Sequence, residues 1–295
     1  MDFIKKKFKP ITAILILTFG GLNILCAQQG KNLNTAENKT KTDAAVKDNS
    51  IFKGTLADLT WPEVKKSAEE NALVLVPVAV IEEHGPHMCL GADIYLTYET
   101  CLDLKQKLDS IRIKSVIAPP VYWGIMQLNE SGAFPGSFTV SPATMKALLA
   151  DVFSNLKRWG FKYFYCVNLH GDRLHKKTMD EAVAEAKEKL RIFFYNEREK
   201  EDWEKAPDFN QFLPAGLYQP DFHAGAYETS AMMQLYPELV NLEAVKTLKP
   251  ENRFQPLGYV GDPANYLKIN FQFLNSMQTG YFAQCIAEWL KVQKK

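Results

Sequence analysis

Hydrophobic and polar positions along this chain follow two alternating periods. Residues 73–80 form a nearly unbroken, valine-rich apolar run, as expected of a strand buried on both faces. Residues 93–108 then place Ile94, Thr97, Cys101, Leu104 and Leu108 on one stripe, which predicts a helix. Residues 113–118 read as a second strand, stopped by Pro119 and Pro120. Another helix starts at Ser141-Pro142, where the serine can cap and the proline suits the first turn. Met145, Leu148, Leu149, Val152 and Leu156 form its buried face, and Gly160 ends it. Strands follow at 163–169 and 192–195, with a helix at 174–190 between them. Further helices are predicted over 228–235 and 277–292, and no internal repeat is present. The alternation predicts an α/β fold with a mainly parallel central sheet and helices on both faces. Such folds bind ligands beyond the carboxyl ends of their strands.

The N-terminus breaks this pattern. Lys5, Lys6, Lys7 and Lys9 precede an apolar run from Ile11 to Leu25, and Ala27 offers a small residue for cleavage. The run is short and interrupted by Gly20, Gly21 and Asn23, so residues 1–27 read as a cleavable export signal rather than an anchor. Cys26 would suit a lipoprotein, but Leu25 before it fits poorly, since small residues precede lipidated cysteines. Residues 28–50 are polar and read as a disordered tether, which leaves residues 51–295 as one large domain. The expectation is a periplasmic or secreted protein with no stable membrane span once the signal is removed. A net charge of +1 gives no reason to expect a nucleic-acid partner. No cysteine pair has C-x-x-C spacing. Cys101, Cys166 and Cys285 read as small core residues, and Cys89 lies beside the first histidine cluster described next.

All five histidines sit in three short clusters. His84 and His87 belong to Glu82-Glu83-His84-Gly85-Pro86-His87, followed by Asp93; His170 and His175 flank Gly171-Asp172-Arg173; His223 opens His223-Ala224-Gly225-Ala226-Tyr227-Glu228-Thr229-Ser230. Imidazole with carboxylate is a ligand set for Zn and Mn. The first two clusters each follow a predicted strand, so two βα turns bring them to one rim of the sheet. Glu82 and His84 are two apart and share a face of an extended segment, as do His170 and Asp172. Asp93 stands where a helix begins. Glu82, His84, Asp93, His170 and Asp172 thus offer donors for two divalent ions, Zn or Mn, with Asp93 as a natural bridge. Ions held that way would bind a hydroxide and polarise a carbonyl. The alternative for Asp172 is a solvated pair with Arg173. His87 is expected to hydrogen-bond near the site, His175 to sit exposed in a helical first turn, and Glu83 to stay outside the ligand set. His223 could donate a proton to a leaving nitrogen or be a buried, hydrogen-bonded residue. Glu228 could orient His223 or cap a helix. No H-E-x-x-H, G-x-S-x-G, P-loop or G-x-G-x-x-G pattern occurs.

Together these residues resemble the creatininase (creatinine amidohydrolase) family over roughly residues 61–240. The family's E-Q-H-G-P-H-L-P-L-G-T-D is matched by the run from Glu82 to Asp93, and its F-P-G-T by Phe134-Pro135-Gly136-Ser137. Its N-G-H is matched by Asn168-Leu169-His170, and its H-A-G-x-x-E-T-S is unbroken from His223 to Ser230. The resemblance implies a three-layer α/β sandwich, a homo-oligomer, and hydrolysis of non-peptide or cyclic C–N amide bonds. It implies Glu82, Asp93 and His170 on one metal, and His84, Asp93 and Asp172 on the other. It also implies His223 as proton donor. The departures surround substrate recognition. Creatinine-hydrolysing members carry Glu where Asp172 stands and an aromatic residue where Gly171 stands. Many relatives have Glu where Ala226 stands. In the family's Y-G-x-S-x-E-H stretch, Glu130 is followed by Ser131 in place of His. These differences point away from creatinine itself. The expected activity is an exported amidohydrolase acting on a small amide. A metallopeptidase trimming a small peptide and a non-catalytic metal- or ligand-binding member are the alternatives.

Overall fold

A computed structural model describes residues 50–127, 134–217, 219–253 and 257–294. The expected signal, and all of the tether but its last residue, lie outside the described residues. Four strands, β1 (Leu73–Pro77), β2 (Ser115–Ile117), β3 (Tyr163–Val167) and β4 (Phe193–Phe194), form one sheet in the order β2-β1-β3-β4. Every pairing is parallel. Leu73 stands opposite both Ser115 and Tyr163, and Tyr163 opposite Phe193. The helices are α1 (Trp61–Glu69), α2 (Ala92–Ser110), α3 (Pro142–Arg158), α4 (Arg173–Leu190), α5 (Asn196–Lys205), α6 (Ala226–Leu235), α7 (Leu242–Val245) and α8 (Phe271–Gln293).

Both faces of the sheet are covered, which is why β1 and β3 read as continuous apolar runs. Val74, Val76, Val116, Phe164, Cys166 and Phe194 pack against α1, α3 and α4. Leu73, Leu75, Ile117, Tyr163, Tyr165 and Val167 pack against α2 and α8. The fold is therefore a three-layer sandwich with a parallel centre, as the alternation predicts. A third apolar cluster joins α6 to the first turns of α2 and α8 and includes Met88 and Ala224, beside the first and third histidine clusters in the chain.

Local chemistry sets the element ends. The ladder expected to reach residue 80 ends at Pro77, which has no N–H to give; Val78 continues as a lone bridge to Val121. Ser141 Oγ accepts from Thr144 N at 3.1 Å and Pro142 opens α3, as its sequence predicts. The last helix starts earlier than residue 277, at Phe271, because Asn270 caps it through Phe273 N at 3.1 Å. Among the described residues no helix is long and apolar enough to cross a membrane. Cys89, Cys101, Cys166 and Cys285 are all free thiols.

Candidate metal centre

The chain leaves β1 extended, and Glu82 N donates to Leu90 O at 3.0 Å, which closes the loop that carries the first cluster. Gly85 turns that loop with φ at +63°, a conformation that favours glycine. Asp93 follows in the first turn of α2. Beyond β3, Asn168 clamps His170 by both backbone groups: its Oδ1 accepts from His170 N at 3.0 Å and its Nδ2 donates to His170 O at 2.9 Å. His223 precedes α6, and Glu228 lies in that helix's first turn.

Backbone carbonyls fix the tautomers of the two central histidines. A carbonyl can only accept, so His84 Nδ1–H donates to Glu82 O at 3.0 Å and His170 Nε2–H donates to Ile125 O at 3.0 Å. The opposite nitrogens are thereby turned toward carboxylates. His84 Nε2 lies 3.5 Å from Asp93 Oδ1 and 3.8 Å from Glu228 Oε2. His170 Nδ1 lies 2.9 Å from Asp93 Oδ2 and 3.1 Å from Glu82 Oε2. Asp93 thus faces one imidazole with each oxygen. Glu82, Asp93 and His170 form one group of converging donors; His84, His223 and Glu228 form a second.

Burial alone would push His170 down, but the charges of Asp93 and Glu82 outweigh it and raise the imidazole to about 10. His84 is likewise raised well above its usual range by Asp93, Glu228 and Glu82 against the opposing effect of burial. Asp93 is held well below the usual carboxylate range, because His170 and His84 outweigh the cost of burying it. The carboxylates therefore favour positive charge at this centre. His84 Nε2 and Asp93 Oδ2 are buried with no hydrogen-bond partner, although Asp93 Oδ2 comes within 2.9 Å of His170; the approach is close but not aligned as a hydrogen bond. Orphaned, convergent N and O donors of this kind fit a divalent ion.

The remaining expected residues fall as follows. Asp172 joins neither group. It is the N-cap of α4: Oδ1 accepts from Leu174 N at 2.7 Å and His175 N at 2.9 Å, and Oδ2 accepts from Gln127 N at 3.0 Å. His175, expected in an exposed turn, is 0% exposed and stands edge-on to His170 with ring centroids 5.0 Å apart. Burial and the neighbouring His170 lower it to about 3, so it is neutral. His87 hydrogen-bonds Thr229 Oγ1 at 3.0 Å. His223 Nε2–H donates to Glu83 O at 2.8 Å, and its ring lies 4.5 Å from that of His84. Glu228 Oε2 accepts from Ala224 N at 2.5 Å, so it closes the start of α6 while also facing His84. Glu83, expected outside the ligand set, belongs to neither group; it is buried with Oε1 at 3.6 Å from His223 Nε2. Sequence reasoning missed the Ile125 carbonyl, which has no side-chain signal to find. Glu130 and Ser131 lie outside the described residues. Two concavities among the described residues, of 990 Å³ between α1 and α3 and 960 Å³ along α4 and α5, contain none of the six converging residues.

A family model described as creatininase, creatinine amidohydrolase, matches residues 57–277. The chain belongs to the creatininase family. Within that family it is 29% identical over 207 residues to the creatinine amidohydrolase of Pseudomonas putida, covering 66% of this chain and 76% of that one. It is also 29% identical over 206 residues to the mycofactocin precursor peptide peptidase of Mycolicibacterium smegmatis, covering 65% and 74%. Among solved structures, a mutant creatininase superimposes with a TM-score of 0.63 at 23% identity, covering 80% of this chain and 98% of that one. Creatininase structures described as Zn-Zn type and as Mn share the fold, with TM-scores of 0.59 and 0.54 at 22% and 20% identity; each covers 81% of this chain, and 97% and 98% of their own.

Proposed function

We propose that this creatininase-family chain is a metal-dependent amidohydrolase that opens the C–N bond of a small or cyclic amide with water. Asp93 carries this reading: its two oxygens face two imidazoles whose far nitrogens are both tied to carbonyls. Glu82, Asp93 and His170 would hold one ion, and His84, Asp93 and Glu228 a second. The N and O donors suit Zn or Mn, the metals named for creatininase structures. When bound, such ions polarise an amide carbonyl and lower the pKa of water. The chain itself supplies orientation and the proton. His223 stands beside His84 with its Nε2–H on the Glu83 carbonyl, and it passes a proton to the nitrogen that leaves. A Cβ built at Gly171 would meet nothing within 4 Å. The space next to His170 is therefore open where creatinine-hydrolysing members carry an aromatic ring, and this supports an amide other than creatinine. The basic and apolar N-terminal stretch supports export to the periplasm or beyond.

A second reading, cleavage of a small peptide, is favoured by one observation: the peptidase relative is as similar as the creatinine amidohydrolase, at 29% each. The deciding experiment takes the mature chain, measures its metal by elemental mass spectrometry after dialysis, and offers it lactams, cyclic ureides and short peptides. About two equivalents of Zn or Mn with ring opening supports the main reading. Cleavage of peptides alone moves the assignment to a peptidase. Full metal with no turnover on any class would sink both enzymatic readings.

A further inference from the structure

Residues 125–127 run beside the centre outside any strand, yet their three consecutive N–H groups are each met by a side chain. Ile125 N donates to His175 Nδ1 at 3.1 Å, Met126 N to Thr139 Oγ1 at 3.1 Å, and Gln127 N to Asp172 Oδ2 at 3.0 Å. Two of these acceptors stand at the start of α4, the helix that follows His170. The Ile125 carbonyl in turn accepts His170 Nε2–H at 3.0 Å. That bond turns Nδ1 of His170 toward the carboxylates, 2.9 Å from Asp93 and 3.1 Å from Glu82. Residue 125 is gripped from both sides, its N–H by one histidine and its C=O by another.

Packing does not explain a histidine at position 175. The ring is wholly buried and its Nε2 has no partner. A leucine would fill such a space without burying an unpaired donor, which is costly. A neighbour has also given way: a Cβ at Gly124 would lie 2.5 Å from His175 Cε1 and 2.6 Å from Nδ1. What the imidazole offers, and a hydrocarbon cannot, is an acceptor at Nδ1 for Ile125.

We propose that His175 is a positioning residue for the metal centre: by holding the Ile125 N–H it fixes the Ile125 carbonyl, and through that carbonyl the tautomer and aim of His170. The inference rests on the metal-centre reading above. Partners of this kind set the orientation and basicity of ligand imidazoles, and their loss typically weakens metal binding by about 10–100-fold.

The test compares His175→Asn, His175→Gln and His175→Leu in the full mature protein. Asn places its oxygen where Nδ1 stood, Gln places its amide where Nε2 stood, and Leu offers no acceptor. Zinc affinity is measured by competition with a chelating dye, and the unfolding temperature is measured without metal. His175→Asn is expected to stay within about threefold of the parent, and His175→Gln and His175→Leu to lose roughly tenfold or more. The metal-free Asn and Gln variants are expected to unfold together. Equal loss in all three variants, or loss in none, overturns the proposal. If the leucine variant does not fold, the Asn–Gln contrast decides. If neither of those folds, long-range ¹⁵N spectra of the parent protein decide: a proton on His175 Nε2 with Nδ1 bare supports the relay, and a proton on Nδ1 overturns it. A parent chain that takes up no zinc would overturn the metal centre itself, a failure distinct from that of the relay.

Discussion

Replacing Asp172 by alanine separates two roles for an acid at that position. If it is a metal ligand, the variant loses an ion and the metal-free fold is indifferent. If it is the clamp described here, the fold suffers first. Asp172 Oδ1 satisfies Leu174 N and His175 N at the start of α4, and Oδ2 satisfies Gln127 N in the neighbouring loop. Removing an N-cap costs about 0.5–2 kcal/mol. Orphaning a hydrogen bond to a charged acceptor costs roughly 1.5–3 kcal/mol, less where water can replace it. Asp172 is only half-buried, so a total of about 2–4 kcal/mol is expected for Asp172→Ala. For a domain of this size that is a drop of roughly 5–15 °C in Tm. Asp172→Asn should lose about half as much, because Asn still caps a helix while its amide nitrogen opposes Gln127 N–H. Calorimetry of the metal-free variants, paired with metal analysis of the loaded ones, reads both quantities. An unchanged metal-free Tm together with loss of one equivalent of metal would refute the clamp.

Asp93→Ala removes the residue shared between the two imidazoles, so metal content and turnover are expected to vanish together while far-UV circular dichroism is retained; residual turnover would contradict the shared-carboxylate scheme. Gly258→Ala would put a Cβ 2.1 Å from Glu83 Oε2 at a φ of +70°. It is expected to cost about 1–3 kcal/mol and to lower kcat by displacing Glu83 from His223; parental stability and kcat would show that this packing is slack. Asp103 is raised from 3.8 to about 8, first by burial and then by the charge of Glu99. The folded chain therefore keeps a proton that the unfolded chain releases, and stability falls as pH rises from 3.8 to about 8. Asp103→Asn should match the parent below that window and exceed it at pH 8 by about 1 kcal/mol after screening, or ~2–4 °C, with parallel Tm curves counting against the assignment. Chelation should lower Tm reversibly, with a loss of about 2.7 kcal/mol of stability if metal had been present at 100 times its Kd. A Tm indifferent to chelator would mean that no ion binds the folded state.

How much of this was legible in sequence depended on whether a residue's partner was near it in the chain. The parallel sheet was legible because β1 and β3 are buried on both faces and therefore lack alternation. α1 went unnoticed although Thr60 and Glu63 form a capping box around Pro62, a signal that residues 60–63 do carry. α5 had no such signal: its ten residues are mostly charged and only Asn196 and Asp202 are buried, so no apolar stripe exists to find. At the site, Glu82, His84, Asp93 and His170 were legible because two βα turns must meet at one rim. The burial of His175 was not, since it depends on Ile125 and Gly124 from a different loop.

Three acids stand at three helix starts, and their position within the turn separates their roles. Helix N-termini carry partial positive charge, which suits an acid at each of these places. Asp172 occupies the N-cap itself, where a short side chain folds back onto its own helix's N–H groups. Asp93 and Glu228 lie inside the first turns of α2 and α6, and their oxygens reach outward to His84. Creatinine-hydrolysing relatives carry Glu at the position of Asp172. Glu is a poor N-cap and long enough to look away from its helix; Asp is a good one and looks back. In this chain position 172 thus serves as a clamp on the loop that holds Ile125, while Glu228 is the carboxylate that converges with His84 and His223.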